Sequence, residues 1–168
     1  MEQAKERPSP KVQSLNLPEE LASLYERAVA LLEAKRISAT PHRALLLALL
    51  LRKGYHPTAE ELEEDANQYL SVGTTTVYLA LKMFLTVQLV HSLVDTAGKV
   101  RYGGYLEPHV HLHCLICKTT TDVEVSTEAP LVQEPLAEGW KLQTSYPPMV
   151  ILYGLCPICG SVTHLEPA

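Results

Sequence analysis

All four cysteines of the 168-residue chain fall in two Cys-x-x-Cys pairs, Cys114/Cys117 and Cys156/Cys159. The first pair follows directly on an alternating run, His109-Val110-His111-Leu112-His113-Cys114. Four thiolates spaced Cys114-x2-Cys117-x38-Cys156-x2-Cys159 suit a closed tetrahedral zinc site. Each pair can form a tight knuckle, and closing the loop between them fixes two distant segments of a small domain. Binding energy of this kind is folding energy, on the order of 10 kcal/mol for small zinc modules. Disulfides, or a redox pair that releases zinc on oxidation, are the competing uses. The opening residues, Met1 to Pro8, lack the apolar core of an export signal. A cytoplasmic protein in a reducing compartment is therefore expected, where such pairs serve metal. Glycine follows Cys159 but Lys118 follows Cys117, so the first knuckle is expected to be the less regular.

In a strand, residues two apart face the same side. His109, His111 and His113 therefore share a face and Cys114 points to the other, so one strand can feed two sites. An open site on the histidine face needs ligands from elsewhere, and His56, His91, Glu107 and Asp122 are candidates. Asp122 lies on the strand expected to pair with the histidine strand, and His56 lies in the first domain, just before the third helix. A metal bound by both domains would lock their relative orientation and favour one conformer. Nitrogen and oxygen donors suit ferrous iron, manganese, zinc or nickel without choosing among them. A zinc hydrolase is the alternative from another class; it needs a general base, for which Glu107 is the candidate.

The remaining chain must position these groups. It is 46% hydrophobic, enough for a real core, and no uninterrupted apolar run reaches the length of a membrane span. Its net charge of −5 does not announce a nucleic-acid binder, although a local basic patch can exist on an acidic protein. After a polar tail over 1–17, Pro18-Glu19-Glu20 opens a helix whose apolar stripe is Leu21, Leu24, Ala28, Leu31 and Leu32. Thr40-Pro41 caps a second helix, apolar nearly all round to Leu51, which should be central and buried. Thr58-Ala59-Glu60-Glu61 is a capping box opening a third helix to about Tyr69. A fourth runs from Thr74 to Phe84, with Val77, Leu81 and Phe84 on one face. Strands over 89–94 and 99–102 then flank the turn Asp95-Thr96-Ala97-Gly98. Helices followed by a hairpin form a winged helix-turn-helix pattern. From Gly103 the composition shifts, with strands expected over 109–115, 119–125 and 149–153 and a weak helix start at 134–138.

The pieces Ala39-Thr40-Pro41-His42-Arg43, His56-Pro57-Thr58-Ala59-Glu60-Glu61, Thr75-Thr76-Val77-Tyr78, His109 to Cys117 and Tyr153 to Gly160 resemble, in their order and spacing, the ferric uptake regulator family of metal-dependent bacterial transcription factors. The resemblance covers about residues 20–160. It implies an α+β fold: a winged helix-turn-helix domain over 18–102, and a small α/β dimerisation domain with structural zinc over 103–168. Carried over by position, Cys114, Cys117, Cys156 and Cys159 match the family's structural Zn2+ ligands. His56, His109, His111 and Asp122 match its regulatory ligands across the hinge. Fe2+ or Mn2+ is the favoured regulatory ion, with Zn2+ or Ni2+ as alternatives. The peroxide-sensing branch has aspartate at the position of Asp122, where many iron-sensing members have glutamate. A further carboxylate is expected near the hinge, where Gly103 stands; Glu107, His113 or His91 could complete the site.

The same resemblance implies a homodimeric repressor, neither enzyme nor membrane protein, that reads a palindromic, A/T-rich double-stranded DNA operator. The helix from Thr74 would lie in the major groove. Tyr78 matches a base-contacting tyrosine, whose ring can pack on a thymine methyl. Thr74, Thr75 and Thr76 would reach phosphates or base edges, and Arg43 matches a backbone-contacting arginine. Leu79 and Ser38 stand where basic residues are common, which implies fewer phosphate contacts. A zinc-stapled interaction module that has lost metal sensing is the alternative outside regulation.

Overall fold

The computed structural model describes residues 15–104, 109–124 and 150–162. Four helices come first. α1 (Glu19–Ala34) begins behind Pro18 with Glu19 and Glu20 in its first turn, and it buries Leu21, Tyr25, Ala28 and Leu32. Tyr25 was absent from the expected stripe, whereas Leu24 and Leu31 only flank the core. α1 ends where Arg36 turns left-handed at φ 59°. α2 (Pro41–Leu50) is capped by the Thr40 hydroxyl, which accepts from the Arg43 amide. Every residue from Ala44 to Leu50 is buried, and each leucine contributes roughly 1.5–3 kcal/mol by leaving water.

α3 (Ala59–Asn67) carries the expected capping box between Thr58 and Glu61. It stops short of Tyr69 because the Asn67 side chain clamps the next turn: it accepts from the Val72 amide at 2.9 Å and donates to the Val72 carbonyl at 3.1 Å. α4 (Thr74–Thr86) buries Val77, Ala80, Leu81 and Phe84. It runs past Phe84 and ends at Gln88, with φ 60°. Leu89 and Val90, expected in a strand, instead close the helical core.

The wing is a hairpin of β1 (His91–Val94) and β2 (Val100–Gly103). Asp95 organises its turn by accepting from the Ala97 and Lys99 amides and from Arg101 Nε. In the second sheet β3 (His109–Cys114) is central, antiparallel to β4 (Thr120–Glu124) and parallel to β5 (Ile151–Gly154). A short helix, α5 (Pro157–Val162), begins within the second knuckle and carries Cys159; the sequence did not predict it. The expected helix start at 134–138 and the beginning of the last strand at Met149 lie outside the described residues.

The helical unit owns the apolar core; among the second sheet's described residues only Val110 and Cys114 are buried apolar residues, and they stand apart from that cluster. On the face of β3 opposite the histidines Val110 and Cys114 are buried, but between them Leu112 and its register partner Leu152 are 42% and 49% exposed, and Val123 is also exposed. The Tyr102 amide donates to the Pro57 carbonyl, holding the wing to the helices, and the Gly104 amide donates to the Leu50 carbonyl, both at 2.9 Å; the Gly54 amide donates to Asp122 and ties the helices to the second sheet. A Cβ on Gly104 would stand 3.0 Å from the Leu50 carbonyl oxygen. Close packing therefore accounts for the glycine at this junction.

Candidate metal centres and nucleic-acid interface

The knuckle at the end of β3 and the one at the start of α5 bring Cys114, Cys117, Cys156 and Cys159 together, with one ligand atom from each within 4.8 Å of the others. Cys117 Sγ and Cys156 Sγ are 3.7 Å apart. Two sulfurs on one tetrahedral zinc, each at ~2.3 Å from it, stand about 3.8 Å apart, whereas a disulfide needs about 2.05 Å. The quartet therefore fits zinc and is not cross-linked. The Cys156 amide points at Cys114 Sγ and, with the Cys117 and Ile116 amides, draws that thiol down to about 6 against the opposing effect of burial. Hydrogen bonding to the Cys156 sulfur pushes Cys159 up to about 12. Without a cation the four sulfurs must share protons, since four adjacent thiolates would repel. The irregular first knuckle is visible as Lys118 in the left-handed region at φ 63°.

The other face of β3 points back at the helical unit. Asp122 on β4 is opposite His111 in the sheet register. Its Oδ1 lies 3.0 Å from His111 Nδ1, 3.2 Å from His56 Nε2 and 3.8 Å from His109 Nε2. The Gly54 amide holds its Oδ2 at 3.0 Å. His91, from the base of the wing, closes the group: its ring centroid is 5.0 Å from that of His111, 5.7 Å from that of His109 and 5.9 Å from that of His56. His56, His111 and Asp122 are buried.

Burial raises the Asp122 carboxyl, but the neighbouring His111 and His56 rings and the Gly54 amide outweigh it and hold the group well below the ordinary carboxylate range. Burial, followed by repulsion from His111, His56 and His109, depresses His91 to about 4. One carboxylate thus faces several imidazoles. Nδ1 of His56 and Nε2 of His91 are buried without a hydrogen-bond partner among the described residues, while His56 Nε2 has Asp122 as its ion-pair neighbour. Such orphaned lone pairs are costly, and a divalent cation is the group they fit.

The third histidine of the strand has other work. His113 shares the face but stands one register step further along, where Nδ1 meets Thr120 Oγ1 at 3.0 Å and Nε2 meets Thr96 Oγ1 at 3.2 Å. Both nitrogens are engaged, and it does not enter the cluster. Glu107 lies outside the described residues.

On α4 the residues named for DNA face outward. Thr74, Thr75, Thr76 and Tyr78 are exposed, and Leu79 beside them is 64% exposed. The Tyr78 hydroxyl donates to Glu60 at 2.8 Å and the Thr74 hydroxyl to Glu63 at 2.9 Å, so acids of α3 orient both groups. Arg43 donates to the Ser38 carbonyl at 3.1 Å from a half-buried position at the start of α2.

Sequence reasoning passed over Arg101. Its guanidinium reaches Asp95 at 2.8 Å, the His56 carbonyl at 2.8 Å and Glu61 at 3.0 Å, tying the wing turn to the loop that carries His56. A lone arginine in a strand gave no signal of this. The Gly54 amide, directed at Asp122, has no signature in a side-chain pattern.

Residues 34–146 match the model of the Ferric uptake regulator family. The "Ferric uptake regulation protein" of Campylobacter jejuni is 31% identical over 82% of this chain and 89% of its own length. The "Peroxide-responsive repressor PerR" of Staphylococcus aureus is 26% identical over 59% of this chain and 68% of its own length. Among solved structures, a zinc uptake regulator complexed with zinc and DNA shares the fold, with a TM-score of 0.62 and 20% identity over 86% of this chain and 98% of that one.

Proposed function

Because the chain belongs to the ferric uptake regulator family, we propose that it is a homodimeric, metal-responsive repressor of transcription that binds a double-stranded DNA operator. The observation that carries this reading is the cluster around Asp122, where donors from the helical unit and from the sheet converge with unpartnered buried nitrogens. Cys114, Cys117, Cys156 and Cys159 hold structural zinc, which staples the end of β3 to the start of α5. His56, His109, His111 and Asp122 hold the regulatory ion.

A divalent ion there supplies positive charge that compensates Asp122 and uses the imidazole lone pairs. The chain's own contribution is geometric. His56 comes from the loop before α3, whereas His109, His111 and Asp122 come from the sheet. Filling all four together favours the arrangement in which both units are locked. In the dimer that arrangement sets the spacing of the two α4 helices, and spacing is what a palindromic operator reads. Tyr78 and Thr74 to Thr76 meet base edges and phosphates, and Arg43 meets the backbone. The open apolar face of Leu112, Val123 and Leu152 suits the second copy. Among the described residues no helix is long and apolar enough to cross a membrane, and the reading assigns no catalytic residue.

The test compares wild type with the double variant His109→Ala/His111→Ala. Wild type should carry a second metal ion per chain beyond the cysteine-bound zinc and bind its operator more tightly with that metal. The variant should keep one zinc and lose the metal response. Equal operator affinity with the second site empty and filled would overturn the mechanism.

A further inference from the structure

We propose that Glu60 determines which bases the Tyr78 hydroxyl reads: by holding the hydroxyl proton it leaves only lone pairs for the major groove, which accept from the amino group of adenine or cytosine and are repelled by the carbonyl oxygens of guanine and thymine. The step rests on the reading of α4 as the helix that meets base edges.

Glu60 and Glu63 stand about one turn apart on α3, and Thr74 and Tyr78 about one turn apart on α4. The two pairs meet like rungs. Glu63 accepts from the Thr74 hydroxyl at 2.9 Å, and Glu60 accepts from the Tyr78 hydroxyl at 2.8 Å. The helices behind the rungs are fixed to each other. Leu62 and Ala66 of α3 share one core with Val77 and Leu81 of α4, and Asn67 clamps the turn between them at Val72. Tyr78 is 46% exposed, so a duplex has access to it. The bond to Glu60 holds the Tyr78 hydroxyl above its ordinary range. Glu60 is held below its own range, first by a hydrogen bond from its backbone amide and then by Tyr78. The proton therefore stays on Tyr78 and is donated to an anionic Glu60.

A phenol has one proton to donate and lone pairs that accept. A hydrogen bond to a carboxylate is roughly twice as strong as one between neutral groups. Turning the proton toward a base would exchange the stronger bond for the weaker and leave the carboxylate without its partner as the groove closes over it. In the major groove adenine and cytosine present an amino donor, whereas guanine O6 and N7 and thymine O4 only accept. A hydroxyl reduced to its lone pairs discriminates between these two classes. An A·T pair carries both an amino group and a methyl group in that groove, so it offers something to the hydroxyl and to the ring. Thr74 follows the same rule through Glu63: with its one proton held, it has none to give a phosphate.

The experiment selects duplexes from a random pool with the full-length dimer in the presence of Zn2+ and Mn2+, and the selected duplex serves as the probe. Each adenine is then replaced by purine and each cytosine by 2-pyrimidinone, which lack the amino group. One such replacement in each half-site should weaken wild-type binding by roughly fivefold or more, and that loss should vanish in Tyr78→Phe. Selection with Glu60→Ala should admit guanine or thymine at the same position, because the freed proton can be donated to them. Glu60→Gln loses the same charge but keeps an acceptor oxygen, so it should keep the wild-type preference. The lost charge strengthens binding to every duplex alike and drops out of the preference. A cooperative melt and retained cysteine-bound zinc show that each variant is folded. An unchanged base preference in Glu60→Ala overturns the proposal. So does a preference lost equally in Glu60→Gln, which would place the effect in charge alone. If these variants select as wild type does, only the role of Glu60 falls. If wild type enriches no duplex with both ions present, the repressor reading itself is wrong.

Discussion

Gly54 and Asp122, 68 residues apart in the chain, are joined by a 3.0 Å hydrogen bond from the glycine amide to Asp122 Oδ2. The turn after α2 thereby fixes one carboxylate oxygen, and the other is left facing His56, His109 and His111. Asp122→Asn separates these duties. The amide oxygen can still accept from Gly54, but the anionic donor is gone. We expect the fold and the cysteine-bound zinc to survive, while affinity for the second ion falls by at least roughly tenfold and operator binding loses its metal dependence. Elemental analysis and operator titration with and without metal check this outcome.

Lys118 offers a gain of stability. A side chain in the left-handed region costs roughly 1–2 kcal/mol, and Lys118 sits there at φ 63°. Its ammonium donates to the Leu115 carbonyl at 2.6 Å, an exposed contact of small value. Lys118→Gly should raise the urea midpoint by an amount worth about 1 kcal/mol without changing the slope. A lower midpoint would show that the Leu115 contact outweighs the backbone strain.

Leu79 lies on the exposed side of α4 next to Tyr78. Leu79→Arg places a cation where the operator's phosphates would pass. It should tighten operator binding and steepen the plot of log affinity against log salt by about one. An unchanged slope would mean that residue 79 does not face the duplex.

The pH response of the metal-free protein follows from His91, which is depressed from 6.5 to about 4. Between those values the unfolded chain binds a proton that the folded chain refuses, so folding stability is intact above about 6.5 and declines as pH falls toward about 4. The loss amounts to a few kcal/mol at most. His91→Gln removes this contribution, and its melting temperature should fall less than that of wild type between pH 7 and pH 5. Equal falls would place the acid sensitivity in other groups.

Much of this molecule was legible in its residues because side-chain periodicity and capping carried it. The Thr58–Glu61 box, the all-apolar α2 and the Asp95 turn formed where the pattern put them. The alternation of β3 sent its histidines to one face and Cys114 to the other. What escaped was written in backbone groups and in single residues. Tyr25 enters the core although its hydroxyl hid it in an apolar count. The glycines at 103 and 104 marked a change of composition, but their meaning is close packing against His91, His56 and the Leu50 carbonyl. His109, His111 and His113 were equivalent by alternation. Only the distance along the strand separates the two that reach Asp122 from the one that meets Thr96 and Thr120.

The open face of the second sheet, with Leu112 set against Leu152 and both largely exposed, makes protein concentration a variable of regulation. A surface completed by a second copy obeys mass action. The amount of dimer, and with it the occupancy of a two-fold operator, then falls faster than in proportion when the chain is diluted. A cell that grows faster than it synthesises this protein would release its target genes with the metal supply unchanged.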